Sequence, residues 1–139
     1  MPGHITCTGL VLHPSNNAFL LVYHRRLERW LLPGGHVEPA DSEIWDTARR
    51  EVIEETGAVL NGPDRPPLVG IDVHGIPPGR REPFHLHHDL IFVFKAQSPE
   101  VQPTEEVRRV EWCDLDSFDR FDLPASIRLC AARALDLTR

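Results

Sequence analysis

Residues 49–57, RREVIEETG, place three glutamates, Glu51, Glu54 and Glu55, within five positions. On a helix turning about 100° per residue, with Ile44 set at zero, Glu54, Glu51 and Glu55 fall at roughly 280°, 340° and 20°. They form one carboxylate arc. Ala48, Val52 and Trp45 follow at about 40°, 80° and 100° on the same wheel, so the arc borders the apolar face instead of opposing it. Like charges at this spacing repel by about 0.2 to 0.5 kcal/mol per exposed pair, and by more where water is restricted. Arg50 reaches Glu54 only in the weaker orientation and cannot neutralise three groups. Hard divalent cations such as Mg2+ or Mn2+ can, and they also bind phosphate oxygens. The alternative is a solvated acidic helix face.

The segment before the arc bears on that choice. WLLPGGHVEPAD, residues 30–41, carries Pro33, Gly34, Gly35 and Pro39, which predict a bent loop with accessible backbone groups. A carbonyl there could join a metal shell, and amides could meet phosphate. Trp30, at the start of this segment, is suited either to stacking on a nucleobase or to entering the core.

These residues need a scaffold. ITCTGLVLH (5–13) and AFLLVYHR (18–25) read as strands of a hairpin closed by PSNN. A helix is expected over 42–56, with Asp41 or Ser42 as its cap, Ile44, Ala48 and Val52 inward and Gly57 at its carboxyl end. Strands follow at 68–76, 84–96 and 106–115, separated by proline-rich loops, and a closing helix is expected over 124–137. Helices packed on sheet faces, an α+β arrangement, suit this order.

On the strand FHLHHDL the two-residue alternation puts His85, His87 and Asp89 on one face. Three successive same-face positions spread over about 13 Å, too far to share one ion easily, so substrate contact or a hydrogen-bonded cluster competes with a metal role.

GGHVEPADSEIWDTARREVIEETGA resembles the Nudix box, G-x5-E-x7-R-E-U-x-E-E-x-G-U with U aliphatic. Gly35, Arg50, Glu51, Val52, Glu54, Glu55 and Gly57 match. Asp41 stands in place of the first glutamate, Ala40 replaces a frequent glycine, eight residues rather than seven separate Asp41 from Arg50, and the last aliphatic position is Ala58. The resemblance implies a Nudix-like α/β/α sandwich with a mixed sheet between helices. It further implies metal-dependent hydrolysis of a pyrophosphate bond in a nucleoside diphosphate linked to another moiety, by water attack on phosphorus. By the same resemblance Gly35, Glu51, Glu54 and Glu55 would hold Mg2+ or Mn2+. Glu106 would be a further acid, Glu54 the first choice of general base and Arg50 the group that orients the glutamates. Trp30, His85, His87 and Asp89 are candidate substrate contacts. The irregular box entrance leaves one alternative, a Nudix-fold module that binds a nucleotide or protein without hydrolysis.

The chain has 139 residues, 41% of them hydrophobic, enough for one core, so one domain over 1–139 is expected. A net charge of −6, from 15 basic and 21 acidic residues, argues against an extended nucleic-acid grip. The partner expected is a small nucleotide derivative, with a homodimer possible by family analogy. The three dispersed cysteines suggest free thiols instead of a disulfide framework. Neither a basic leader nor a membrane-length apolar run is evident, and a cytoplasmic location is expected.

Overall fold

The computed structural model describes residues 4–62, 64–76, 78–79 and 83–138, with the side chains of all but His74, Ile76 and His85. Strand β1 (His4–Leu12) turns back into β2 (Phe19–His24), and the antiparallel register starts at Leu12 opposite Phe19. The turn is tied by Asn16 Oδ1, which accepts the Ala18 N–H at 2.9 Å, as a short polar side chain in a turn can. Next come β3 (Arg29–Leu31), β4 (Gly34–His36), helix α1 (Ile44–Thr56), β5 (Leu60–Asn61), β6 (Leu68–Ile76), β7 (His85–Ala96) and β8 (Val107–Cys113). A 3-10 turn at Phe118–Phe121 leads to helix α2 (Ala125–Leu137).

The strands form one mixed sheet. β1 runs parallel to β7 along its whole length, from His4 opposite His87 to Leu12 opposite Lys95. β6 and β5 extend the sheet beyond β7, and β8 pairs with β2. After the hairpin, β2 separates from β1 and pairs with β3, while β4 takes the vacated edge of β1. The sheet is therefore split, and Pro33-Gly34-Gly35 fills the split. The Gly9 N–H donates to the Pro33 carbonyl at 2.9 Å. Where a plain bent loop was expected at 30–41, two short strands stand, because the exposed edges of β1 and β2 offer partners for their backbone groups.

Alternation along β1 divides the core. Cys7 and Val11 face α1, where they join Ala48, Val52, Phe92 and Phe94. Leu10 and Leu12 face α2, with Ile91, Val93, Cys130, Ala131 and Ala134. Small side chains on α2 let it lie close to the sheet, and each fully buried Leu or Phe contributes about 1.5 to 3 kcal/mol. The three cysteines are buried and free. No helix among the described residues is long and apolar enough to cross a membrane.

Helix α1 starts two residues later than expected. Its N-cap is Glu43, in extended conformation and with no side-chain cap bond. Asp41 is drawn away by other donors. Ile44 is 39% exposed, so the inward face begins at Thr47 and Ala48. The carboxyl end is as expected: Gly57 takes the left-handed conformation, φ 68°, and donates to Ile53 O at 2.9 Å. Pro124 caps α2 from outside its first turn.

Gly9 sets how closely α1 approaches, since a Cβ there would collide with Val52 Cγ2 and lie 3.2 Å from the Phe94 ring. Gly9→Ala should destabilise the protein by about 1 to 3 kcal/mol through overpacking. Urea unfolding of the two proteins checks this, and an unchanged midpoint would show that α1 has slack the packing does not suggest.

Candidate active site

The carboxylate arc of α1 lies where the sheet splits. Glu55 is buried, at 4% exposure, and its Oε2 accepts the Gly34 N–H at 3.0 Å. Gly35 faces Glu51 so closely that a Cβ there would strike the Glu51 carboxylate, which makes glycine a packing requirement at this bend. Glu54 lies at the rim with its side chain 47% exposed.

Arg50 uses all five of its N–H donors. Nε and Nη2 fork onto Asp41 at 3.1 and 3.0 Å, and Nη1 donates to Glu51 at 2.8 Å and Glu54 at 3.4 Å. Nη2 also reaches the His36 carbonyl at 3.3 Å. Asp41 additionally accepts the Glu38 N–H at 2.9 Å and the Thr47 hydroxyl at 2.7 Å. The extra residue after Asp41 is taken up by the turn that precedes α1, so a shorter acid still meets Arg50 in a two-point pair. The sequence offered Asp41 as a helix cap and not as the partner of Arg50, since the partnership spans nine positions and depends on how the loop folds back.

Arg50 thus leaves much of the negative charge uncompensated. Burial pushes the Glu51 carboxyl up to about 7; Arg50 partly opposes this, and Glu106 and Glu54 add to it. Burial likewise pushes Glu55 up to about 8, helped by Glu51 and opposed by the Gly34 N–H. Asp41 goes the other way, its carboxyl held well below the usual range chiefly by the Arg50 hydrogen bonds.

A cavity of about 500 Å3 opens beside these groups, and Gly35, Glu51, Glu55, Glu106, His87 and Asp89 all contribute to its wall. Helix, glycine bend, β7 and the segment before β8 therefore converge as their sequence separation gave no means of computing. Asp89 accepts hydrogen bonds from Thr6 (3.0 Å) and Thr8 (2.7 Å), hydroxyls on β1 that drew no notice in the sequence. Trp30 is placed elsewhere: its ring meets Tyr23 and Phe121 edge-on at 5.3 and 5.1 Å, and Arg109 lies over it. The side chain of His85 lies outside the described residues. Neither Trp30 nor Glu54 is among the described residues that line the cavity.

The family model of the NUDIX domain matches residues 3–134. The chain belongs to the Nudix family. That membership makes it a hydrolase of pyrophosphate bonds, in a family that generally uses divalent cations. Among solved structures, a NUDIX family hydrolase from Clostridium perfringens is 23% identical with TM-score 0.70, each chain being covered fully. The NUDIX domain of Shewanella oneidensis NrtR, complexed with ADP ribose, gives TM-score 0.72 at 18% identity, covering 97% of this chain and 90% of that one. A C. elegans Ap4A hydrolase gives 0.69 at 18% identity, covering 97% and 96%. At these identities the likeness is one of fold. No curated protein matches the chain significantly.

The raised carboxyls of the Nudix helix have a consequence for stability. A folded-state pKa above the ordinary value of 4.5 means that the native state binds more protons than the unfolded chain across that interval. Their contribution is full below pH 4.5 and is lost as pH rises through about 7 and 8. Asp41 contributes in the opposite sense, but only in stronger acid. Thermal melts in chelator should therefore show the melting temperature falling between about pH 5 and pH 8, and this fall should be largely absent from the Glu51→Gln/Glu55→Gln double variant. Parallel curves for the two proteins would mean that these carboxyls titrate normally.

Proposed function

We propose that this Nudix hydrolase uses Mg2+ or Mn2+, held by Glu51, Glu55 and the Gly35 carbonyl, to cleave a nucleoside diphosphate linked to another moiety. The observation that carries the reading is that Glu51 and Glu55 are buried side by side with too few donors to stabilise two carboxylates, next to Gly34 and Gly35 and inside a cavity of small-molecule size. Carboxylate and carbonyl oxygens are the donor types a hard cation prefers. Glu106, whose charge bears on both glutamates, would add a further acid.

When bound, the cation would neutralise the diphosphate and make a water acidic enough to attack near neutral pH. The chain's own residues have separate tasks. Arg50 orients Glu51 and Glu54 through its hydrogen bonds, while Asp41 fixes the guanidinium plane. Glu54, at the wetter rim, is our choice of general base for the attacking water. His87 and Asp89, on the β7 part of the cavity wall, would contact the substrate and select it, with His85 and Trp30 as further contacts if substrate extends towards them. We read residues 1–139 as one domain acting on a free small molecule in the cytoplasm, without extended nucleic-acid contact and with homodimer formation as a family expectation. The net charge of −6 and the buried free thiols agree with that setting.

Purified protein assayed with Mg2+ or Mn2+ against nucleoside triphosphates, nucleotide sugars, ADP-ribose and dinucleoside polyphosphates should turn over at least one class. Chelator should abolish that activity. Binding without turnover of any of them would favour a non-catalytic nucleotide-binding role. Glu54→Gln and Glu55→Gln should each lower kcat by at least about 100-fold with circular dichroism unchanged. Near-normal rates would remove those residues from the mechanism.

A further inference from the structure

Beyond the carboxylates, three histidines converge from three adjacent strands: His4 on β1, His36 on β4 and His87 on β7. Each offers a ring nitrogen, and the three nitrogens lie within 4.8 Å of one another, the one such convergence of three ligand atoms among the described residues. The glutamates of α1 do not bring three ligand atoms that close together.

Register produces this convergence. β1 lies between β4 and β7. His4 is the direct partner of His87 across the parallel pair, and His36 pairs with Thr6, diagonally next to His4 on the same face. The ring centres form a nearly equilateral triangle, at 5.5 Å (His4–His36), 5.4 Å (His4–His87) and 5.5 Å (His36–His87). Three imidazoles bound to one tetrahedral ion at about 2.05 Å place their ring centres roughly 5 Å apart and their ligating nitrogens about 3.3 Å apart. The triangle is already near the required size. Small side-chain rotations would bring the nitrogens in, with no shift of the strands.

We propose that His4, His36 and His87 form a second metal site, for a borderline divalent transition ion of the Zn2+ type, distinct from the Mg2+ or Mn2+ site on the glutamates. Three protein nitrogens and a remaining coordination position are the arrangement in which such an ion accepts an outside oxygen ligand. His36 and His87 both line the cavity, so that ligand would come from the cavity, and a phosphate or hydroxyl oxygen of a bound molecule is the class that fits. Imidazole nitrogen suits Zn2+, Co2+ or Ni2+, and oxygen donors suit Mg2+, so ligand chemistry keeps the two sites separate. The proposal does not require the hydrolase reading of the glutamates to be correct.

Titration of chelator-stripped full-length protein with CoCl2 alone tests it through the visible absorption of Co2+. One equivalent should give the intense bands of a four- or five-coordinate nitrogen site, and excess MgCl2 should not remove them. His4→Ala and His36→Ala should each weaken binding by more than the roughly 10- to 100-fold that loss of an outer-shell partner brings. Glu51→Gln/Glu55→Gln should retain the bands, so failure of the carboxylate site would not mimic failure of this one. Bands that persist in both histidine variants, bands lost in the glutamate variant, or only the weak absorption of octahedral Co2+ would overturn the proposal. As a check independent of variant folding, ZnCl2 added to 15N-histidine-labelled wild-type protein should shift three imidazole rings together. No ring perturbed would likewise overturn it.

Discussion

One guanidinium faces four carboxylates in this protein, and its saturation governs the site. Arg50 forks onto Asp41 and has only Nη1 left for Glu51 and Glu54, with Glu38 further off at 3.7 Å. Glu55 receives a single backbone N–H from Gly34. Desolvation then raises the proton affinity of Glu51 and Glu55, because a buried carboxylate lacking a full complement of donors is a poor anion. A site in this condition has more to gain from a divalent cation than one whose acids are already paired.

The split sheet is what allows that condition to exist. A continuous β1–β2 ladder would cover the edge on which β4 lies, and Gly34 and Gly35 would have no place beside α1. Gly9 lets the helix approach the sheet, and Gly35 lets Glu51 approach the bend, so two absent side chains set the depth of the acids. The cavity wall carries both kinds of ligand. Carboxylates come from α1, the segment before β8, β6 (Asp72) and β7 (Asp89, bound by the Thr6 and Thr8 hydroxyls), and imidazoles come from β2 (His24), β4 (His36) and β7 (His87).

How far the sequence could be read followed the range of each interaction. The hairpin, α1 with its Gly57 end, β6, β7, β8 and α2 were legible because each carries its own periodicity and punctuation within a dozen residues. β3, β4 and β5 were not, since they are two or three residues long and exist only where a neighbouring strand edge supplies hydrogen bonds. The helix start was misplaced because Asp41 had stronger partners than the helix's free amides.

By itself the sequence determined that three glutamates would share one arc at the margin of an apolar helix face, which follows from the 3.6-residue turn. The glycine pair before them reads as a bend in the sequence but is extended as β4, and it is glycine because Thr8 and the Glu51 carboxylate leave no room for a Cβ. Tertiary structure decided which charges are compensated, that Glu106 faces the arc, and that His87 meets His4 and His36. Those outcomes depend on strand register and on chain closure over distances such as the 83 residues between Thr6 and Asp89, and register of that kind leaves no local pattern in the sequence.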